Sequence, residues 1–248
     1  MIDLHTHALP NIDDGASNPQ ETIEILKVEL EQGVTEVVFT PHYYGKCSGE
    51  EFIEKRQKAF DSIKDNIPEG MKVRLGAEVL LTGVNDPSDE TICSLAIEGT
   101  KYVLIELPFQ CWRDSLLEKI ADFIAETGYT PIIAHVERYM EVLKNPSMLT
   151  YLAELGCLIQ VNTTAFLEKR LKQFAFTLLR KGLVHCLGTD AHNTTTRGVD
   201  YAEAKNAILK KGMDAEWNGV QWCMQKVLNG ESVLLPCATL HKFLVWFF

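Results

Sequence analysis

The sequence of 248 residues has little that would suit a membrane protein or a disulfide-bonded one. No uninterrupted apolar run approaches the ~20 residues that a membrane-spanning helix needs. Residues 1–7 lack the basic and apolar regions of a signal peptide. The seven cysteines are an odd number without any Cys-x-x-Cys spacing, which indicates reduced thiols. We therefore expect a cytoplasmic protein without a transmembrane segment.

Basic residues are also scarce, with 24 Lys and Arg against 34 Asp and Glu. The net charge of −10 and the pI near 5.2 argue against nucleic-acid binding, which needs a basic surface. The sequence contains no phosphate-binding loop, Gly-x-Ser-x-Gly elbow, Gly-x-Gly-x-x-Gly fingerprint or Cys-x5-Arg loop, so the corresponding nucleotide, serine and thiol enzymes lack support. An acidic protein still handles phosphate where bound metal ions reverse the charge locally.

Short β-rich segments alternate with amphipathic helical segments, which is typical of an α/β protein with a parallel sheet. The predicted strands are 2–5, 36–40, 73–77, 102–106, 131–135, 157–162 and 184–188. The predicted helices are 19–32, 51–65, 113–127, 146–155, 165–181 and 201–211. No linker or low-complexity tract divides the chain. We predict one domain over residues 1–248, irregular in the loop 82–94 and in the tail 213–248.

Side chains that bind metals fall at the carboxyl ends of the predicted strands or just after them. They are His5, His7, His42, Glu78, Glu106, His135, Asp190 and His192. In a parallel barrel these strand ends open on one face, where active sites are built. His-x-His and Asp-x-His place two side chains on the same side of an extended segment. Mixed imidazole and carboxylate ligands suit manganese, iron or zinc better than magnesium or calcium.

Each of these residues alone has an ordinary structural explanation. A lone His42 or His135 is more often a hydrogen-bonded core histidine, and a lone Glu78 is usually a surface or capping residue. However, five of the seven histidines fall on one predicted face, so the sequence predicts a metal centre. Asp13 and Asp14 follow His-x-His closely and are further candidates, which an Asp-Gly turn would explain equally well.

Two arginines lie beside these residues. Arg138 is three residues after His135, and Arg197 is five residues after His192. A planar guanidinium matches the geometry of a phosphate group, so arginines at the rim of a metal centre indicate a phosphoryl substrate. The residues alone therefore favour a metal-dependent phosphoester hydrolase. His185, at the start of a strand on the opposite face, receives no catalytic role.

In order and spacing, the motifs resemble the PHP (polymerase and histidinol phosphatase) superfamily, and specifically its bacterial capsule and exopolysaccharide tyrosine phosphatases. The motifs are MIDLHTHALPNIDDG at 1–15, TPH at 40–42, GAE at 76–78, LIE at 104–106, IAHVER at 133–138, QVN at 160–162 and DAHN at 190–193. The likeness covers about residues 1–212. Asp-Asp-Gly and His-Val-Glu-Arg are the motifs that favour this branch.

The resemblance implies a distorted TIM-like (β/α)7 barrel, the PHP fold. It also implies three divalent metal ions, typically manganese, with iron or zinc as alternatives. One metal would be bound by His5, His7, Glu78 and Asp190, a second by Glu78, Glu106 and His135, and a third by Asp14, His42 and His192. Asp14 is thereby favoured over Asp13 as a ligand.

The resemblance further makes Arg138 and Arg197 catalytic residues that hold the phosphate. The implied activity is hydrolysis of phosphotyrosine by metal-activated water. The implied substrate is the tail of a cognate bacterial tyrosine kinase that controls capsule or exopolysaccharide synthesis. The tail departs from the family pattern because it lacks the usual Asn-Pro pair, which leaves its packing and the formation of a homo-oligomer open.

Three other functions stay open on the sequence. The first alternative is a PHP phosphatase for a small phosphomonoester such as histidinol phosphate or a nucleotide. A nuclease-like phosphodiesterase agrees less well with the acidic charge. A non-catalytic metal-binding or kinase-scaffolding domain is the alternative from another class, and a complete ring with both arginines argues against it.

Overall fold

The computed structural model describes residues 1–233 of the chain, in which short parallel strands alternate with helices. The strands are β1 (Ile2–Thr6), β2 (Glu36–Phe39), β3 (His42–Tyr43), β4 (Lys72–Leu75), β5 (Glu78–Leu80), β6 (Tyr102–Glu106), β7 (Thr130–Ile133), β8 (Leu158–Asn162) and β9 (Cys186–Gly188). All seven predicted strands are present. The two additional short strands, β3 and β5, come just beyond the predicted second and third strands.

These two short strands continue β2 and β4 after an interruption. Pro41 has no N–H with which to extend β2, and Gly76 and Ala77 separate β4 from β5. The pairing still passes the gap, because the N–H of Gly76 donates to the Phe39 carbonyl at 2.8 Å and the N–H of Glu78 donates to the Pro41 carbonyl at 3.1 Å. The four short strands therefore serve as two kinked strands, whose second halves begin with the predicted ligands His42 and Glu78.

The parallel ladder runs β1-β2-β4 and then β3-β5-β6-β7-β8-β9. At its ends, a parallel bridge joins Thr6 to Ala191. Beside this bridge, the N–H of Asp190 donates to the His5 carbonyl at 2.8 Å, which brings the end of β9 back to β1. The sheet curls as in the expected distorted TIM-like barrel, and the carboxyl ends of its strands gather on one face.

The helices surround this sheet. They are α1 (Pro19–Glu31), α2 (Gly49–Asp61), α3 (Asp89–Ser94), α4 (Asp114–Thr127), α5 (Met140–Lys144), α6 (Ser147–Glu154), α7 (Lys172–Arg180), α8 (Tyr201–Leu209) and α9 (Asp214–Leu228). Local sequence explains several of their ends. Ser48 and Glu51 form a capping box at the start of α2, and Gly128, with φ 67°, ends α4 in the left-handed conformation.

Three predictions about the helices were wrong. The predicted helix 165–181 is a 3-10 turn at Thr163–Phe166 followed by α7. The loop 82–94 ends in α3, whose first turn is capped by the Ser88 side chain. The tail from residue 213 begins with the regular helix α9, since Trp217, Val220 and Met224 recur at helical spacing and are buried. Residues 234–248, the rest of the predicted irregular tail, lie outside the described residues.

Aliphatic side chains cover both faces of the sheet. Val37, Val103, Ile132, Val161 and Leu187 come from five different strands, and each is completely buried. The register of β6 and β7 places Val103 and Ile132 on opposite faces. Such apolar strands leave most of the polar chemistry to the strand ends. Within residues 1–233, no helix is both long and apolar enough to cross a membrane.

Candidate metal centre

The nine predicted metal ligands lie together at the carboxyl ends of the strands. Donor atoms within 4.8 Å of one another form three groups, which are His5–His7–Asp190, His7–Asp14–His42–His192 and His42–Glu78–Glu106. His135 joins the last group through its Nε2, which is 2.8 Å from Glu78 and 3.5 Å from Glu106. The geometry thus brings all nine residues together, while their assignment to individual ions stays a prediction.

The imidazoles of His5 and His7 face each other with their Nε2 atoms 3.0 Å apart. The other nitrogen of each ring is engaged elsewhere, since His5 Nδ1 is 3.3 Å from Gln160 Oε1 and His7 Nδ1 is 2.7 Å from Asp13 Oδ2. If these Nδ1 atoms carry the protons, two Nε2 lone pairs point at the same space. Two imidazole nitrogens that bind one cation at about 2.1 Å, with an N–metal–N angle of about 90°, lie about 3.0 Å apart, as these Nε2 atoms do.

A proton competes for the same position. Although burial opposes charge on His7, hydrogen bonds and charge from Asp13 and Glu78 raise its pKa to about 10. The surroundings of His7 therefore favour positive charge, whether it is supplied by a proton or by a metal cation. Because a metal ligand must be deprotonated, a bound cation takes the place of that proton.

Asp13 and Asp14 have different positions despite being neighbours in sequence. The Asp13 side chain is 5% exposed and that of Asp14 is 63% exposed. Asp13 accepts hydrogen bonds from the backbone N–H of His42 and of Gly15, both at 2.9 Å. Burial opposes its ionisation, but His7 and these N–H groups keep the pKa of Asp13 below its usual value. Asp13 thus holds the predicted ligand His7 through the nitrogen that faces away from His5.

Asp14, in contrast, reaches the donor group of His42 and His192. Its Oδ1 lies 3.5 Å from His42 Nε2 and 3.4 Å from His192 Nε2. The other nitrogen of His192 donates to the Asp190 carbonyl at 2.8 Å, which turns Nε2 toward Asp14. This geometry agrees with the ligand role that the resemblance implies for Asp14.

Glu78 occupies the middle of the cluster. Its carboxylate is completely buried and lies 2.8 Å from His42 Nδ1 and 2.8 Å from His135 Nε2. Burial opposes its charge, but the surrounding histidines hold the pKa of Glu78 well below its usual value. In Glu106, burial and the charge of Glu78 raise the pKa to about 7. The carboxylates of Glu78 and Glu106 have oxygen atoms within 4.8 Å of each other. Additional positive charge, such as that of a cation, would stabilise the pair.

Metal ions fit the residues that are present. Among the described residues, His192 Nε2 is a buried atom without a hydrogen-bond partner, and Glu78 Oε2 and His42 Nδ1, which lie 2.8 Å apart as an ion pair, make no hydrogen bond of good geometry. Such atoms are costly in a protein interior unless something satisfies them. Bound cations would satisfy all three at once, and the mixed imidazole and carboxylate donors suit manganese, iron or zinc.

The two predicted arginines meet at one carboxylate. Arg138 Nη1 is 3.0 Å from Asp190 Oδ2, and Arg197 Nη2 is 3.1 Å from both Asp190 oxygens. Asn162 also donates to Asp190 Oδ2 at 3.1 Å. Each guanidinium side chain remains 39% exposed. The arginines are therefore held beside the predicted metal ligands and are still accessible to an anion.

Two supporting residues were not assigned a role from the sequence. Gln160 sits in β8 and, besides contacting His5, accepts a 2.6 Å hydrogen bond from the backbone N–H of His135. Asn162, two positions later on the same face of β8, contacts Asp190. The available signal was two amide side chains at alternate positions of an otherwise apolar strand. Buried amides nearly always have hydrogen-bond partners, so such a pattern indicates polar contacts.

Two clefts adjoin the centre. One, of about 520 Å³, lies beside Arg138, Arg197 and Asp190. The other, of about 390 Å³, lies beside Asp14 and His42. The arrangement can hold cations in a ring, a phosphoryl group between the cations and the arginines, and the remainder of a substrate in a cleft.

The sequence model of the capsular polysaccharide synthesis family CpsB/CapC matches residues 1–223 of the chain. The chain belongs to the CpsB/CapC family. This result confirms the branch that the motifs indicated, and the match includes every residue of the metal centre.

Two named bacterial proteins are similar to the chain over most of its length. The tyrosine-protein phosphatase YwqE of Bacillus subtilis is 33% identical over 218 residues, which are 85% of each chain. The putative tyrosine-protein phosphatase CapC of Staphylococcus aureus is 31% identical over 209 residues, which are 79% of each chain. The similarity therefore extends over most of the chain.

A solved structure supports the same relationship. It comes from work on YwqE of Bacillus subtilis and CpsB of Streptococcus pneumoniae, described as unique metal-dependent tyrosine phosphatases. It aligns with a TM-score of 0.83 and 28% identity, and covers 98% of this chain and 100% of that one. The fold of the CpsB/CapC family is thus the fold of this chain.

Proposed function

We propose that this chain is a metal-dependent protein-tyrosine phosphatase. Its substrate is phosphotyrosine on the tail of a cognate bacterial tyrosine kinase that controls capsule or exopolysaccharide synthesis. One observation carries this proposal, namely the three overlapping groups of metal donors with Arg138 and Arg197 beside them. The names of the relatives support phosphotyrosine as the substrate.

The centre would hold three divalent ions, with manganese as the proposed metal. His5, His7, Glu78 and Asp190 would bind the first, Glu78, Glu106 and His135 the second, and Asp14, His42 and His192 the third. Supporting this number, His7, His42 and Glu78 each lie within reach of more than one donor group. When bound, such ions supply Lewis acidity and activate water for attack on phosphorus.

The remaining chemistry belongs to the protein. Gln160 and Asp13 fix the imidazoles of His5 and His7 so that their Nε2 atoms converge. Arg138 and Arg197 offer their exposed N–H groups to the phosphoryl oxygens, whose charge they neutralise in the transition state. Asp190 holds both guanidinium groups in place before the substrate arrives. No side chain is required to form a covalent bond to phosphorus.

We further propose that the reaction takes place in the cytoplasm. The described cysteines Cys47, Cys93, Cys111, Cys157, Cys186 and Cys223 are all free thiols. Free thiols in this number agree with a reducing compartment.

The test is a comparison of substrates on metal-loaded protein. The chain is stripped with a chelator and reloaded with manganese, iron or zinc, and phosphate release is measured from a phosphotyrosine peptide, its phosphoserine analogue, histidinol phosphate and nucleotides. We expect metal-dependent release with the highest kcat/KM on the phosphotyrosine peptide. Faster release from a small phosphomonoester would select the small-molecule phosphatase instead.

A pair of matched variants links activity to the centre. Glu78→Gln removes the central carboxylate and should abolish release and lower the bound metal. Glu118→Gln makes the same change at an exposed position of α4 and should leave both unchanged. Phosphatase activity that survives in Glu78→Gln would contradict the proposal.

A further inference from the structure

The cleft beside Asp14 and His42 has buried aromatic side chains at its base, with two exposed lysines and the exposed carboxylate of Asp14 around them. Its other lining residues define what we call the Tyr44 cleft, and they include Ile12, Tyr43, Tyr44, Lys46, Phe52 and Lys55. Its volume of about 390 Å³ lies in the usual range for sites that bind small organic groups, about 300–1,000 Å³. Because two of the proposed metal ligands form one end of it, any group placed there adjoins the metal centre.

The floor of the Tyr44 cleft is built of packed aromatic rings. Tyr43 and Phe52 are 4% and 5% exposed and meet edge to face with ring centroids 5.1 Å apart. The hydroxyl of Tyr43 donates to the Cys47 carbonyl at 2.9 Å. The floor is therefore formed before any ligand binds.

Tyr44 forms an exposed wall of this cleft. It is 46% exposed, and its ring stacks on the imidazole of His42 with centroids 4.8 Å apart. Lys46 Nζ lies 5.5 Å from the same ring. An exposed aromatic ring held beside a reactive centre is suited to contact another ring.

The second cleft has the opposite character. Besides Arg138 and Arg197, it is lined by Thr164, Thr195 and Asp200. The lining also includes Leu171, Val199 and the carboxylates of Glu137 and Glu168, but no aromatic ring. It therefore offers hydrogen bonds and charge to a phosphate and the neighbouring backbone, and no ring on which an aryl group could stack. The metal centre therefore lies between a polar cleft and an aromatic one, and an aryl phosphate has the matching two ends.

We propose that the Tyr44 cleft binds the aryl group of the substrate and makes the enzyme selective for aryl over alkyl phosphate monoesters. The inference rests on the proposed function and adds to it the residues that recognise the tyrosine ring. Tyr44 is the residue whose ring contacts the substrate ring. The lysines at the rim favour a substrate that carries negative charge next to its phosphotyrosine.

The test uses two non-hydrolysable ligands on manganese-loaded protein. Phenylphosphonate has a ring to place in the Tyr44 cleft, while methylphosphonate has none, and calorimetry gives the Kd of each. Tyr44→Ala should weaken phenylphosphonate about tenfold, which is the value of a lost aromatic pair, and leave methylphosphonate unchanged. Tyr44→Phe keeps the ring and should bind both ligands as the parent protein does.

Phe109→Ala is the matched control at another exposed ring of the centre. Phe109 is 43% exposed, stacks on His135 and has the guanidinium carbon of Arg138 4.9 Å from its ring centroid. Loss of the Phe109 ring disturbs Arg138, which holds the phosphonate group itself. Phe109→Ala should therefore weaken the binding of both ligands by the same factor. Melting temperatures show that each variant is folded.

The outcomes separate this inference from the proposed function. Equal weakening of both phosphonates by Tyr44→Ala, or no weakening of either, would overturn the role of the Tyr44 cleft. Absence of phosphotyrosine hydrolysis by the parent protein would instead overturn the proposed function. In that case the Kd ratio of the two phosphonates still reports whether the cleft prefers an aryl group.

Discussion

His7 and Asp13 form a 2.7 Å contact between Nδ1 of the imidazole and Oδ2 of the carboxylate, and this contact determines which nitrogen of His7 faces the metal centre. The same carboxylate receives the backbone N–H of His42, so Asp13 positions two predicted ligands at once. Carboxylates that hold a ligating histidine in this way raise its basicity and fix its orientation. We therefore expect Asp13 to act as a positioning residue.

Asp13→Asn should weaken metal binding without removing a ligand. An amide oxygen still accepts a hydrogen bond but carries no charge, so His7 becomes less basic and less firmly oriented. We expect a loss of metal affinity of about 10–100-fold, measured by titrating manganese into chelator-treated protein. Activity at saturating manganese should recover most of its parent value, which distinguishes a positioning residue from a ligand.

The control for this change is Asp122→Asn in α4. Asp122 is exposed and lies in a helix on the outside of the sheet, so the substitution should leave the manganese titration unchanged. An Asp13→Asn titration curve that coincides with that of Asp122→Asn would show that the contact with His7 does not matter for metal binding.

Arg197→Lys should lower activity although the positive charge is kept. Nη2 of Arg197 contacts both oxygens of Asp190, and its Nη1 lies 3.4 Å from Asp14. A lysine has one compact ammonium group, so it cannot hold Asp190 and also meet a phosphoryl oxygen with the same geometry. We expect kcat/KM on a phosphotyrosine peptide to fall about 10–100-fold, whereas Arg170→Lys at an exposed position should have no effect.

Much of the metal centre was predictable from the sequence because parallel strands impose a common end. Once His5, Glu78 and Asp190 are placed after apolar strands, the barrel brings them together whatever the loops do. The role of Gln160 was not predictable in this way, since its contact with His5 joins residues 155 apart along the chain. Hydrogen bonds between distant strands depend on register, which no local pattern specifies.

The helices show the same division between local and tertiary causes. Ser88 is a good N-cap residue and begins α3, but so short a helix has no apolar period by which to detect it. The helix α9 does have such a period in Trp217, Val220 and Met224. The prediction of an irregular tail was wrong for α9 because it took this helix together with the atypical residues that follow it.

Gly188→Ala should damage the centre from within the sheet. A Cβ atom at residue 188 would lie 2.4 Å from the Cβ of His5 and 3.0 Å from its backbone nitrogen. Since β1, which contains His5, and β9, which contains Gly188, are both buried, His5 has to shift. We expect a loss of stability of about 1–3 kcal/mol, together with weaker manganese binding. Thermal and chemical unfolding measure the first effect and calorimetry the second.

Gly219→Ala is the matched glycine control. A Cβ at this position of α9 meets nothing within 4 Å, and alanine is the better helix former by up to about 1 kcal/mol. The two substitutions are chemically identical, so they should change stability in opposite directions. A Gly188→Ala protein as stable as the parent would mean that β1 and β9 are not packed as closely as described.

His185 should make the protein less stable in mild acid. Burial lowers its pKa to about 4 although a hydrogen bond to the Gly182 carbonyl opposes the shift, and its Nδ1 accepts the backbone N–H of Ile159 at 2.8 Å. The folded state therefore keeps His185 neutral, while the unfolded chain takes up a proton below pH 6.5. Stability from this residue is complete above pH 6.5 and falls by about 3 kcal/mol as the pH drops toward 4.

His185→Asn tests this dependence because its Oδ1 can accept the same N–H and does not titrate. The free energy of unfolding of the parent and the variant is measured from pH 7.5 to 4, and the difference between the curves isolates His185 from the other histidines. The variant should gain on the parent by about 3 kcal/mol across this interval. Curves that stay parallel would mean that His185 has the same pKa in the folded and the unfolded protein, and hence that its side chain, just before β9, is open to water.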